Sequence, residues 1–217
     1  SDVCSSDLGT VSIRDLNYSE NGKYFKIKDA LFRSESVNGN HLTSLKSDIA
    51  DIELSGIYKR TELPSSIEYL IRKYIPTLSV SAESTHKTNV EFSCIFKETQ
   101  DLTRVLFPEI QITSGTRISG FADSDNNSFR LEAASDSVRI GQSVFEGIES
   151  EINTTEGTLS FNNRFRKVVI SDTLVFIKPY LQGTTDKNRS NFTIASDSRD
   201  TLNNDIVLNG EIGRAHV

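Results

Sequence analysis

Apolar and polar residues alternate with a period of two along most of this chain, and that alternation limits its folds more than any other feature. Val90, Phe92, Cys94 and Phe96 are interleaved with Glu91, Ser93, Ile95 and Lys97. Successive side chains of an extended strand point to opposite faces, so the pattern predicts a half-buried strand with Cys94 on its apolar side. The same alternation recurs at Val11 and Ile13, Ile52 and Leu54, Phe129 and Leu131, Val138 and Ile140, Leu159 and Phe161, Val168 and Ile170, and Phe192 and Ile194. Turn-forming residues fill the gaps, among them Asn38-Gly39, Ser114-Gly115, Asp125-Asn126-Asn127 and Glu156-Gly157. Many short strands at such spacing predict an antiparallel, mostly β architecture.

Composition removes several classes. With 217 residues, 36% hydrophobic, 25% charged and only two cysteines, the chain is neither a disulfide scaffold nor a low-complexity or coiled-coil sequence. Its longest apolar runs, Val168 to Ile170 and Leu174 to Ile177, fall far short of the about 20 residues a membrane helix needs. A net charge of -6 has the wrong sign for a phosphate backbone, so nucleic acid is not an expected partner.

Two segments depart from period two. Ser65-x-x-Glu68 after Pro64 is a capping box, and Ile67, Leu70, Ile71, Tyr74 and Ile75 follow at helical spacing before Pro76. A helix over about 65–75 is predicted, with a second, shorter one over about 101–107 from Leu102, Val105, Leu106 and the stop at Pro108. A weak internal repeat is also visible: Leu54-Ser-Gly56, Ile118-Ser-Gly120, Leu181-Gln-Gly183 and Leu208-Asn-Gly210 share an aliphatic-polar-glycine form. Gly120 and Gly183 are each followed by a phenylalanine at the ninth position, Phe129 or Phe192, and an aliphatic residue at the eleventh. Repeating blocks of strands predict a sheet that grows along one axis.

The ends read differently. Residues 1–8 can be encoded by a DNA string whose reverse complement encodes residues 211–217, and the string resembles a library adaptor. Residues 1–8 and 211–217 are therefore expected to be adaptor-derived, with 9–210 as the folding unit. Setting them aside removes Cys4 and His216 and leaves Cys94, His41 and His86, far apart in sequence, with no spacing that suggests a metal or a nucleophilic dyad.

No other motif points to chemistry. Asp123-Ser-Asp125-Asn-Asn127 has the start of a calcium loop, but Ser128 replaces the glycine and Ala134 the closing glutamate, so a polar hairpin turn is expected instead. Nucleophile elbows, phosphate loops and zinc-helix motifs are missing, and no carboxylate pair is set up as acid and base. The expectation is a non-catalytic chain with no cofactor and no metal.

The stretches Asp51-Ile-Glu-Leu-Ser-Gly-Ile-Tyr58, Leu63-Pro-Ser-Ser-Ile-Glu-Tyr-Leu70, Leu102-Thr-Arg-Val-Leu-Phe-Pro-Glu-Ile110 and Gly115-Thr-Arg-Ile-Ser-Gly-Phe121 resemble the translocation and assembly module TamB proteins of Bacteroidetes-type bacteria, of the AsmA-like group. The resemblance is one of style and punctuation, strongest from about residue 51 to 150. It implies an interior piece of a periplasmic envelope protein whose parent is anchored in the inner membrane, folded as an open β-trough. It further implies roles in outer-membrane assembly, protein secretion and phospholipid transport, with the assembly barrel of the outer membrane as partner.

An open trough would need one apolar face. Phe92, Cys94, Phe96, Phe129, Leu131, Val138, Ile140, Val168, Ile170, Phe192 and Ile194 are the candidates for it, facing phospholipid acyl chains that gain about 0.8 kcal/mol per buried methylene. Alternation alone leaves two alternatives open: a closed sandwich in which such faces cover each other, and a surface adhesin or carbohydrate-binding β module.

Overall fold

A strand leaves a row of backbone donors and acceptors on each side, and a short turn satisfies one row by bringing the next strand back beside it. The computed structural model of this chain repeats that step until one open sheet of fifteen strands is formed. The structure describes residues 7–20, 23–59, 61, 63, 65–67, 87–155, 157–171, 174–186, 189–196 and 207–213. In chain order the first strands are β1 (Asp7–Glu20), β2 (Lys23–Val37), β3 (Asn40–Ser47), β4 (Ala50–Ile57) and β5 (Asn89–Phe96). Next come β6 (Ile110–Ile112), β7 (Arg117–Asp123), β8 (Ser128–Ile140), β9 (Ser143–Thr155) and β10 (Thr158–Arg164). The last are β11 (Lys167–Ser171), β12 (Leu174–Ile177), β13 (Pro179–Thr185), β14 (Arg189–Ser196) and β15 (Val207–Gly213). The main path runs β1-β2-β3-β4-β5-β7-β8-β9-β10-β13-β14-β15, every pairing antiparallel, while β6 pairs with β8, and β11 with β9 and β12.

Two short helical segments accompany the sheet. The first is described at residues 63 and 65–67, where the capping box placed it. Leu70, Ile71, Tyr74 and Ile75 lie outside the described residues. The second, Gln100–Leu106, matches the expected one to within a residue and packs against β2 and β6. Its entry is fixed by the Thr99 hydroxyl, which donates to the Ile112 carbonyl at 3.0 Å.

The glycine repeat marks two hairpins, β7–β8 and β13–β14. Gly120 pairs with Leu131 in the first and Gly183 with Phe192 in the second. The registers thus differ by two residues, a slip that keeps every side chain on its own face. At the ends, Asp7 and Leu8 prolong β1, and Glu211, Ile212 and Gly213 prolong β15, the two outermost strands of the path.

One irregularity crosses several strands. Outside the hairpin turns, positive φ occurs at Asp15, Gly56, Gly115, Gly147 and Lys178. Gly147 lies between the pairs Ile148–Ser135 and Glu146–Ser137. On its other side the Arg166 amide donates to the carbonyls of Glu146 and Gly147, and the Lys178 amide donates to Arg166 at 2.9 Å. Gly115 stands at the same level, in the segment that faces Ser135 and Ser137. Strand ladders break there, and hydroxyls supply the missing bonds: Thr113 Oγ1 bonds both the carbonyl and the amide of Ser137, and Thr116 Oγ1 donates to the Thr113 carbonyl. Gly115, Gly147 and Lys178 therefore form a crease that sets β6, β11, β12 and the far ends of β8 and β9 apart from the main sheet.

Candidate functional site

Directly paired residues of an antiparallel ladder share a face, so the faces can be followed from strand to strand. Phe32 pairs with Leu45, Leu45 with Ile52, Ile52 with Cys94, and Cys94 with Ile118. The same face continues through Leu131, Ile152, Phe161, Gly183, Phe192 and Gly210. The opposite face carries Lys46, Asp51, Ile95, Arg117, Ala134, Glu149, Arg164 and Tyr180 in one cross-strand row. One side of the main sheet is thus predominantly apolar and the other predominantly polar, with Leu42, Ile57 and Ile95 as exposed apolar residues on the polar side.

Seven of the eleven candidate residues share this apolar face: Phe92, Cys94 and Phe96 on β5, Phe129 and Leu131 on β8, Phe192 and Ile194 on β14. The other four lie beyond the crease. Val138 and Val168 belong to a separate row, Ile112–Val138–Phe145–Val168–Phe176, read directly from the pairings. Ile140 pairs with Ile110 at the end of the β8–β9 hairpin. Ile170 sits at a register shift between Val169 and Ser171, which takes it out of the alternation and leaves it exposed. The single contiguous face expected for the eleven is therefore divided in two: Val138 stands an odd seven residues from Leu131 on the same strand, β8, and so falls on the other side.

What covers the main face is small. Tyr58, Val90, Ala122, Phe129 and Leu159 form a buried cluster, and Leu63 and Ile67 of the first helical segment pack against it. The Tyr58 hydroxyl donates to Thr43 Oγ1 at 2.9 Å, and the ring lies 5.3 Å from His41. Toward the two outer edges the face opens: Val11 is 53% exposed and Leu208 56%. A globular protein of 24.2 kDa exposes about 10,000 Å², whereas this chain exposes 14410 Å². No second sheet lies over the first among the described residues.

Sequence reasoning named Phe92, Phe192 and the glycines of the repeat but missed that these glycines receive the rings and level this face. Phe92 pairs with Gly120, Phe161 with Gly183, and Phe192 with Gly183 and Gly210. Each ring lies over the hydrogen of a glycine, and a Cβ at any of the three glycines would collide with it. The aliphatic-polar-glycine repeat carried the signal, but which aromatic residue used the space depends on register.

The titratable groups take structural places. Burial, and secondarily the Asp51 carboxylate, push the Cys94 thiol upward, which disfavours the thiolate a nucleophile or metal ligand requires. Asp51 is held below the usual carboxylate range by Lys97, whose ammonium reaches it at 2.6 Å and also donates to the Ser47 carbonyl. Asp123 is likewise lowered; burial opposes this, but the Asn126 side chain and the amides of Asn126 and Asp125 outweigh it. The calcium-like run is thus a turn whose leading carboxylate is occupied by its own loop. His86 lies outside the described residues. No group of three potential metal ligands occurs among the described residues, and no described helix is long and apolar enough to cross a membrane.

The polar face has its own furrow of about 400 Å³, lined by Arg117, Glu132, Glu149, Glu151, Asn162 and Arg164. Glu132 and Glu151 stand directly opposite each other there. Comparison with family models, curated proteins and solved structures gives no match for this chain.

Proposed function

We propose that this chain is a non-catalytic segment of a periplasmic envelope protein that carries phospholipid acyl chains along its apolar sheet face, serving outer-membrane assembly and protein secretion as the TamB resemblance implies. The observation that supports this reading is the continuous apolar face, followed by register from β2 to β15, with no covering sheet among the described residues. Apolar surface of that extent on a soluble monomer marks a binding site, and a sheet with one wet and one apolar side matches an amphiphile's two halves. A photo-crosslinker at Phe161 or Ile194 in cells should capture phospholipid, while one at Glu149 on the opposite face should not. Equal capture at both, or none at either, defeats the proposal.

A second reading, an adhesin or carbohydrate-binding module, draws on the polar furrow, where Arg117, Arg164 and Asn162 offer donors beside three glutamates. Glycan-array binding abolished by Asn162→Ala, with no lipid capture, would favour it.

A further inference from the structure

The two margins of the sheet are not alike. Among the described residues β1 pairs only with β2, so the amides and carbonyls along its outer side have no strand to bond. Every residue from Gly9 to Ser19 is exposed, Val11 at 53% and Ile13 at 38%. Protein sheets ordinarily blunt such a margin with charges, proline, bulges or a covering element. Gly9-Thr-Val-Ser-Ile13 has no charge and no proline, and it pairs with β2 without a break. Charge begins only at Arg14, and Asp15, left-handed and ion-paired with Lys26, ends the regular run. The opposite margin, β15, is a poorer template: glycines occupy positions 210 and 213, the Phe192 ring already lies over Gly210, and Glu211 stands between them.

The uncharged run of β1 is complementary to itself. Laid antiparallel across a two-fold axis at Val11, it sets Val11 against Val11, Gly9 against Ile13 and Thr10 against Ser12. Opposed residues share a face, so the aliphatic side chains meet on one side and the hydroxyls on the other, where cross-strand threonine–serine pairs bond each other. The Ile13 side chain needs room, and Gly9 has it: a Cβ there would meet nothing nearer than the Ser34 carbonyl oxygen at 4.0 Å. Phe161 uses Gly183 in the same way inside the sheet. A slip of two residues loses the fit, setting left-handed Asp15 against Gly9 in one direction and Asp7 against Ile13 in the other.

We infer that the outer edge of β1 is a docking surface for a second copy of this chain, paired antiparallel through residues 9–13. The contact uses the same patch on both copies and closes on itself. It joins two sheets edge to edge and carries the apolar face across the junction, because Val11 stands on that face through its pairing with Phe32. The pairing is independent of what that face binds.

The test uses the full chain carrying Cys4→Ser and Cys94→Ala. Sedimentation should show a mass that rises with concentration from 24.2 kDa toward twice that value. Val11→Lys puts two ammonium groups across the axis and should hold the chain at the single mass, with circular dichroism unchanged; Val11→Glu should do the same. Mixing these two variants should restore the dimer, since opposite charges then face each other. Val11→Cys should be joined between chains by a short bismaleimide, because the Cβ atoms of directly opposed residues stand about 4.5–5.5 Å apart. Leu208→Cys, on the other margin, should not be joined. A single-chain mass at every concentration, a mixture that stays monomeric, or cross-linking at Leu208 in place of Val11 overturns the proposal.

Discussion

The Phe161 ring lies across Gly183, its direct partner on the neighbouring strand, so closely that a Cβ on the glycine would stand 2.6 Å from the ring's Cζ. Such a pair is a unit: the glycine lacks a side chain where the aromatic ring needs the space, and the ring covers backbone that glycine would otherwise expose. A Cβ there would also collide with the Asn191 carbonyl oxygen and the Phe192 Cα, so Gly183→Ala should destabilise the chain by about 1–3 kcal/mol through overpacking, of which loss of the ring relieves only part. Phe161→Ala should cost about as much by opening the face, at the low end of the range for buried aromatics. The double variant should be less destabilised than the sum of the two, as urea titrations in a double-mutant cycle would read. Simple additivity would show that the ring and the glycine do not depend on each other.

Ile67 should matter to the whole sheet. It packs on the buried cluster around Val90 and Phe129, so Ile67→Asp sets a carboxylate in an apolar contact and should cost a few kcal/mol, on the order of 2–4. A thermal melt unchanged by this substitution would remove the first helical segment from the core.

Acid should weaken the fold. Asp51, Asp123 and the exposed Asp15 beside Lys26 are all held below the ordinary carboxylate range in the folded chain. A lowered folded value means that stability is fully present above the unfolded value, near pH 4, and is lost as pH falls through the folded values. Melting temperature should thus be flat from pH 7 to 5 and drop below pH 4. Asp51→Asn should lower the neutral plateau and make the acid slope shallower, because Lys97 then has no carboxylate to hold. An acid slope identical to wild type would contradict the Lys97–Asp51 assignment.

Cys94 should be a poor nucleophile. In a Cys4→Ser background, iodoacetamide should modify it slowly at pH 8 in the folded chain and rapidly in denaturant, since burial and the Asp51 charge both resist thiolate formation. Fast native alkylation would mean that the apolar face is far more open at β5 than the packing indicates.

Much of this architecture is legible in the sequence because strand phase is a local property. Val90, Phe92, Cys94 and Phe96 do share a face, Asn38-Gly39 does turn the chain in the left-handed conformation, and the helix Gln100–Leu106 does stop before Pro108. The crease is not legible. Lysine has no preference for the left-handed region, so nothing at Lys178 announces it. Each short pair reads as apolar by itself, but Val138 lies an odd seven residues from Leu131 along β8, and Val168 follows it through Phe145 onto the other side. The placing of β6 and β11 on the ends of one long hairpin is set by pairings between distant segments, which composition and period do not record.

Because the chain visits its strands almost in spatial order, with β1 at one margin and β15 at the other, the sheet has no central element that locks the rest. Each interior strand is held by its two neighbours on the path, with β6 and β11 as third partners of β8 and β9, much as in other linear arrays whose stability is a sum of nearest-neighbour terms. Pulled by its two ends, such a molecule peels from its margins one strand at a time, at modest and repeated force, and zips back in the reverse order when the load is released.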